Sequence, residues 1–113
     1  MITKEGQEAA KTLGDLYGLE RVLYRRLDVS SPNNFLDALD FCVDNFGSVD
    51  IIVNNAGING ENNWESMLDV NLKGVVNGTN LGIKYMGKTG RMNPDGTRKG
   101  GVVVNVSSVQ VIP

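Results

Sequence analysis

The spacing of apolar positions changes several times along the chain, and each change marks a predicted element. Residues 6–17 carry apolar side chains on one helical face, and Gly18 can end that first helix. Ser31-Pro32 supply an N-cap and a first-turn proline for a second helix, which Gly47 can close. A third helix is predicted from residue 64 to about residue 88. The three helices divide the chain into segments of strand or loop length.

Three of those segments are predicted strands, at residues 21–29, 49–53 and 101–106. The middle one is almost wholly apolar, which is typical of a parallel strand buried on both faces. Residues 54–63 form a small-residue loop, and residues 89–100 form a polar surface loop with a Pro-Asp-Gly turn. Helices and strands therefore alternate, which predicts an α/β fold with a layered parallel sheet and right-handed crossovers.

Composition is that of an ordinary globular chain. Its 113 residues are 41% hydrophobic, which suits one small domain. A net charge of -2 gives no basic surface for nucleic acid. No apolar run approaches the roughly 18 residues that span a membrane. We therefore expect neither nucleic acid nor a membrane as a partner.

Cysteine and histidine usage narrows the chemistry. The one cysteine, Cys42, lies in an apolar helical pattern, which predicts a buried thiol and a reducing, cytoplasmic location. There is no histidine, so the commonest general base and the commonest metal ligand are both missing. We expect no metal site, and any proton relay must use other side chains.

One short motif carries candidate chemistry. The strand at 49–53 is followed by Asn54-Asn55-Ala56-Gly57, and ligands of doubly wound sheets bind beyond the carboxyl ends of strands. Alanine and glycine let a flat ligand approach the backbone, while the asparagines can lock the strand end. An ordinary Asn/Gly turn is the alternative, and the tetrapeptide alone does not decide between them.

The surrounding sequence resembles the short-chain dehydrogenase/reductase family, in which this motif follows the fourth strand. Asp28-Val29 looks like the family's acidic contact to the adenine ring. Asn71, within Val-Asn-Leu-Lys-Gly, resembles the helix asparagine of the catalytic tetrad. Ser108, in Asn-Val-Ser-Ser, resembles the catalytic serine. The resemblance covers essentially the whole chain. Residues 62–86 look most like the NAD-dependent 15-hydroxyprostaglandin dehydrogenase subgroup, and insect-type alcohol dehydrogenases are also similar.

The resemblance implies a fold and an activity. Residues 1–113 would form a single partial dinucleotide-binding domain, holding the third to fifth strands of a Rossmann-type doubly wound parallel sheet. The lineage would transfer hydride between NAD(P) and a secondary alcohol or ketone, with NAD as the expected cofactor and NADP not excluded. The substrate would be a small molecule, 15-hydroxyprostaglandin-like in that subgroup.

The resemblance also assigns roles. Five residues would border the cofactor: Asp28, Val29, Asn55, Ala56 and Gly57. Ser108 would hydrogen-bond the substrate oxygen, and Asn71 would distort its helix and hold a water through its main chain. Each has a structural alternative: Ser108 as a serine satisfying the local backbone, Asn71 as a solvent-facing asparagine like Asn77 or Asn80, and Asp28 as an acid favoured by a helix dipole.

Parts of the family pattern do not occur in these residues. There is no Thr-Gly-x-x-x-Gly-x-Gly phosphate loop, and no Tyr-x-x-x-Lys follows Ser108, so the tetrad's tyrosine and lysine are absent. The strands that normally lie between 21–29 and 49–53 in the sheet are also absent, so 21–29 would have no neighbour. The sheet would also expose apolar faces that other helices normally cover. We expect the isolated chain to be inactive and marginally stable or aggregation-prone.

The third helix carries Gly74, Gly78 and Gly82 on one face, which indicates close approach of another backbone. That backbone could belong to the chain's own sheet or to a second subunit, making helix 64–88 an oligomer surface. One rival interpretation is a non-catalytic truncated form that binds a full-length relative through this helix. Others are a fragment or incomplete gene model, and a flavodoxin-type receiver domain, which lacks its acidic cluster here.

Overall fold

The structure is a computed structural model that describes residues 3–58 and 63–107. Its order is helix α1, a short 3₁₀ turn, helix α2, strand β1, a helix interrupted by one π turn, and strand β2. The bounds are α1 Thr3–Tyr17, 3₁₀ turn Leu19–Arg21, α2 Pro32–Phe46, β1 Ile51–Asn54, α3 Trp64–Leu68, π turn Asp69–Lys73, α4 Gly74–Thr89 and β2 Val102–Asn105.

The predicted ends of the first two helices are confirmed. Gly18 closes α1 with a φ of 113°, and its N–H donates to Gly14 O at 2.8 Å. Ser31 caps α2, its Oγ accepting from the Asn34 N–H at 3.3 Å. Gly47 ends α2 in the left-handed region, with a φ of 89° that residues bearing a Cβ rarely adopt.

The predicted strand at 21–29 is wrong. Residues 19–21 form a 3₁₀ turn, and the following backbone is extended at Val22 but joins no ladder among the residues the structure describes. An extended segment becomes a strand only when a neighbour accepts and donates its backbone hydrogen bonds. The segment packs through side chains instead: the Tyr24 ring occupies the space above Gly6.

The sheet consists of β1 and β2, paired in parallel with Ile51 opposite Val102 and Asn54 opposite Asn105. Its inner face, with Ile52 and Val103, packs on the core. Its outer face is open, so the burial of β1 on both faces that its apolar run predicts is not found, and the expected exposure of an apolar sheet face is confirmed. The outer side chains are 43–65% exposed: Ile51, Val53, Val102 and Val104.

The core lies between α2, α4 and the inner face of the sheet. Its buried apolar side chains among the described residues are Phe35, Leu39, Val49 and Met86. Cys42 packs against this cluster but is only half-buried, and desolvation raises the pKa of its thiol. The apolar side of α1 takes no part in the core, since Leu13, Leu16 and Tyr17 are 44–70% exposed.

The glycine face of α4 packs on the chain itself. A Cβ at Gly74 would lie 2.6 Å from Val29 Cγ2, and one at Gly78 or Gly82 would overlap Asn54 or Ile52. All three glycines are buried. Close packing of this stripe on the chain itself is confirmed, with Gly78 and Gly82 on β1 and Gly74 on Val29.

The loop after α4 forms the predicted turn. Asn93 N–H donates to Thr97 O at 2.6 Å across Pro94-Asp95-Gly96, and Gly96 adopts a φ of 88°. Met92 and Arg98 form an isolated antiparallel bridge. Within the described ranges, no helix combines the length and apolar character that crossing a bilayer requires.

Candidate active site

The two strands end together at one rim of the sheet. Asn54 and Asn105 are paired in register, and Asn54 Nδ2 donates to Asn105 Oδ1 at 2.9 Å. The Val106 N–H then donates to Asn54 O at 3.1 Å, which extends the ladder past the strand ends. Asn54 is buried, so its amide locks the rim from inside, as the motif predicted. The corner at 54–57 and Ser107 consequently lie at the same edge; Ser108 lies outside the described residues.

Asn71 sits in the middle of the π turn, so the predicted local distortion of the helix is confirmed. Its Oδ1 accepts from the Ile58 N–H at 2.8 Å, and its Nδ2 donates to Ile58 O at 2.9 Å. One amide thus satisfies both main-chain groups of the residue that follows Gly57. Asn71 is exposed to solvent, and its amide is at the same time engaged with the Ile58 main chain. Single π turns inside α-helices are frequent at functional sites.

A cleft of about 450 Å³ opens between the rim and this turn. Its walls combine small side chains with amide and hydroxyl groups. The lining residues are Asn55, Ala56, Gly57, Asn71, Val75, Val106 and Ser107. A ligand here would meet main chain at Ala56-Gly57 on one side and Ser107 on the other.

Asp28 closes a tight turn with its own side chain. Its Oδ1 accepts from Ser30 N at 3.0 Å and from Ser30 Oγ at 2.7 Å. The Ser30 hydroxyl, followed by the Ser30 N–H, holds the pKa of this carboxyl below its ordinary value. The carboxylate is therefore ionised at neutral pH, and its two protein hydrogen bonds come from the turn.

A second, wider cleft of about 600 Å³ lies beside the first. Asp28 and Val29 form one wall, and Ala56, Gly57 and Ile58 form another. Because Ala56 and Gly57 line both clefts, the clefts meet along this corner. Four of the five predicted cofactor residues line the wider cleft, and Asn55 lines the narrower one.

Comparison with known proteins identifies this arrangement. A profile described as short chain dehydrogenase matches residues 2–111. The chain belongs to the short-chain dehydrogenase/reductase family. The predicted resemblance is thereby confirmed, and the family is one of oxidoreductases.

The chain is similar to individual family members over most of its length. It is 36% identical over 104 residues to a 15-hydroxyprostaglandin dehydrogenase [NAD(+)] of Rattus norvegicus, a match covering 92% of this chain and 37% of that protein. The crystal structure of a 3-ketoacyl-ACP reductase from Sinorhizobium meliloti superposes with a TM-score of 0.76 at 29% identity, covering 95% of this chain and 41% of the other. The structure of ElxO with NADP bound superposes with a TM-score of 0.67 at 25% identity. This match covers 89% of this chain and 42% of the other.

These matches confirm the predicted fold class and show how much of that fold this chain contains. The chain is a partial α/β arrangement of the Rossmann type, with a parallel pair of strands and helices beside it. It spans less than half the length of the relatives it matches.

Asn77 is a residue of this short-chain dehydrogenase chain that sequence reasoning misplaced. It was expected to face solvent, but it is half-buried and its Nδ2 donates to Val29 O at 2.9 Å. The available signal was its position three residues after Gly74, which puts it on the flank of the glycine face. Asn105 has no predicted role of its own within the serine motif, yet its side chain accepts a hydrogen bond from Asn54.

The wider cleft combines one carboxylate, accessible main chain and apolar side chains, which are groups that could hold an adenosine. Asp28 supplies an ionised acceptor for an exocyclic amine, the Ala56-Gly57 corner leaves main chain accessible, and Val29, Ile58 and other apolar side chains suit a flat ring. A pyrophosphate requires a different feature, since the glycine-rich loop that cradles it does not occur in these 113 residues. Among the described residues, no group of three or more His, Cys, Asp or Glu side chains is arranged to hold a metal ion.

Proposed function

We propose that this chain carries the nucleotide- and substrate-facing rim of a dehydrogenase that transfers hydride between NAD(P) and a secondary alcohol or ketone. The observation that carries the proposal is the shared edge. Asn54 and Asn105 tie two parallel strand ends together, and Asn71 holds the loop that follows Gly57. This edge is where doubly wound sheets bind ligands.

The proposed roles follow from the chemistry of each group. Asp28 and Val29 receive the adenine ring, and the corner of Asn55, Ala56 and Gly57 borders the ribose. The bound nicotinamide supplies the hydride acceptor. Ser108 hydrogen-bonds the substrate oxygen, and Asn71 holds the helix main chain open beside it.

NAD is the proposed cofactor, and the proposed substrate is a hydroxyprostaglandin-like secondary alcohol. The support is the 36% identity to an enzyme named for both NAD(+) and 15-hydroxyprostaglandin. ElxO, at 25% identity, has NADP bound, so NADP is the alternative cofactor with which NAD is compared in each binding test. The free thiol of Cys42 supports a reducing compartment such as the cytoplasm.

Residues 1–113 are proposed to bind nucleotide without turning over substrate. Proton transfer in this family needs a tyrosine with a lysine four residues later. The residues four positions after Tyr17, Tyr24 and Tyr85 are arginine, aspartate and threonine. Incubation with NAD and a secondary alcohol should give no absorbance at 340 nm above background, and NADH formation would contradict this part of the proposal.

Nucleotide binding is tested with a matched pair of carboxylate variants. Asp28 and Asp95 each accept from the N–H and hydroxyl of the residue two positions later. Asp28→Ala and Asp95→Ala therefore remove the same kind of local turn, one at the cleft and one in the loop after α4. NAD titrated into the full chain should bind D95A like the native chain and D28A about tenfold more weakly. Absence of binding to the native chain, or equal binding by both variants, would contradict the proposal.

The second proposal concerns a partner, and a separate face of the long helix favours it. Leu72, Val76 and Ile83 are 46–60% exposed and lie on one side of that helix, away from its glycines. We propose that this face joins a second copy or a full-length relative. Val76→Glu should abolish the association seen by sedimentation velocity, while Lys84→Glu on the same helix should not. A native chain that stays monomeric and captures no relative would refute the proposal.

A further inference from the structure

Helix α4 holds Val29 by two independent contacts. Gly74 leaves room for the Val29 side chain, because a Cβ there would lie 2.6 Å from Val29 Cγ2. Asn77 donates from Nδ2 to Val29 O at 2.9 Å. The two helix residues are three positions apart and so lie on neighbouring parts of one face. Side chain and carbonyl of a single residue are thus both fixed by the helix.

This attachment matters because the segment before Val29 is not held by a sheet. Residues 22–28 join no ladder among the described residues, so the backbone there lacks the regular support of a strand. Asp28 and Val29 nevertheless form one wall of the wider cleft, facing Ala56 and Gly57. The width of that cleft is therefore set by whatever holds the Asp28-Val29 corner in place.

We propose that Asn77 is a positioning residue for nucleotide binding. It does not line the cleft itself but acts through Val29 O, keeping the Asp28 carboxylate at a fixed distance from the Ala56-Gly57 corner. The inference rests on the proposed function, because it concerns the same adenosine site. Without the amide, Val29 O loses its donor, and the corner can move outward toward water.

The chain offers a matched control for Asn77. Asn80 lies on the same helix and is exposed, so Asn77→Ala and Asn80→Ala make the same truncation with the same gain in helix propensity. Adenosine is the probe, because the proposed site takes only that half of the cofactor. Titration into ¹⁵N-labelled full chain should shift the amides of Asp28, Val29 and Gly57 in the native protein and in N80A. In N77A the affinity should fall about tenfold at a temperature where all three are folded.

The outcomes separate the inference from the proposed function. Absence of adenosine binding by the native chain would contradict both the inference and the proposed function. Binding by the native chain with equal affinity in N77A overturns the inference and leaves the proposed function standing. A merely structural role for Asn77 predicts that result, since it would lower the unfolding temperature without changing the affinity of the folded protein.

A measurement on the native chain decides the case if N77A does not fold. The side-chain amide protons of Asn77 that bond Val29 O should shift when adenosine binds, while those of Asn80 stay in place. Binding that shifts Asp28 and Gly57 but leaves the Asn77 side chain unmoved would overturn the inference.

Discussion

At the scale of single residues, asparagine side chains supply the hydrogen bonds that backbone groups would otherwise make where the regular ladder ends. An asparagine side chain carries one acceptor oxygen and two donor hydrogens, so it can satisfy a peptide group as another peptide would. Asn71 does this for Ile58, Asn77 for Val29, and Asn54 pairs with Asn105. Asn54 and Asn71 stood out in the sequence through their motifs. Asn77 did not, because its one signal, a position three residues after Gly74, becomes informative only once the glycine face is known to pack on the chain itself.

Asn71→Ala should loosen the loop after Gly57 more than it unfolds the protein. The change removes two hydrogen bonds to Ile58, each worth about 0.5–1.5 kcal/mol. Amide hydrogen exchange at Ile58 should accelerate, and urea unfolding should show a loss of about 1–3 kcal/mol. Asn80→Ala is the control. Unchanged protection at Ile58 in N71A would show that the amide does not hold this loop.

At the scale of elements, helix α4 shows why spacing alone left a choice open. Three glycines at four-residue intervals require something close on that face, and either a sheet or a subunit would serve. Only the fold reveals that Asn54 and Ile52 fill the space. The helix thereby contacts the locked rim directly, which couples its position to the corner that follows β1.

Alanine substitutions at two glycines of α4 should have opposite effects. A Cβ at Gly78 would overlap the Asn54 amide, so Gly78→Ala should cost about 1–3 kcal/mol despite alanine's higher helix propensity. Gly87, on the same helix, has nothing within 4 Å of such an atom, and Gly87→Ala should stabilise by about 0.4–1 kcal/mol. Chemical denaturation measures both, and equal effects would argue against the packing described for Gly78.

Helices α2 and α4 are joined by a titratable link. Tyr85 OH donates to Asp40, and this hydrogen bond is the main cause that raises the pKa of Tyr85 to about 12. A pKa raised by folding means that the link stabilises the fold below pH 10 and that this contribution is lost as the pH rises from about 10 to 12. Tyr85→Phe should remove that part of the pH dependence, while exposed Tyr17→Phe should keep it. The measurement is the free energy of unfolding across the pH range from about 10 to 12, with unfolding monitored by fluorescence.

At the scale of the whole molecule, the local elements were largely predictable from the sequence, whereas the surroundings of each element were predictable only in part. Both caps of α2, the parallel pairing of β1 with β2 and the π distortion at Asn71 follow from residues close in sequence or from the family motif. The predicted strand at 21–29 does not form because a strand needs a neighbour, and the expected lack of one is confirmed among the described residues. Burial of both faces of β1 likewise needs covering elements, and the outer face of the sheet is exposed in the part of the chain that the structure describes.

The molecule is open for its size. Its accessible surface is 8413 Å², against about 6100 Å² for a compact monomer of 12.2 kDa. Its radius of gyration is 15.9 Å, against roughly 13 Å for a compact domain of this length. The excess surface includes the outer face of the sheet and the apolar side of α1. The exposed outer face of the sheet and the exposed apolar side of α1 favour association through apolar contacts over a stable isolated monomer.

The sheet gives a direct test of this reasoning, because its two faces carry the same kind of residue in different surroundings. Val53 and Val104 are 56% and 43% exposed on the outer face, whereas Ile52 and Val103 pack on the core. Threonine keeps the β-branched shape that strands favour. The pair Val53→Thr and Val104→Thr should raise the concentration at which light scattering begins, with little change in stability.

The inner pair, Ile52→Thr and Val103→Thr, should lower both solubility and stability, because it puts hydroxyl groups into the core. Outer and inner pairs that aggregate alike would mean that the exposed face does not drive association. A cooperative, reversible thermal transition with native-like circular dichroism in the unmodified chain would go further. It would show that the small core between α2, α4 and the inner face of the sheet stabilises the fold even though the outer face of the sheet is exposed.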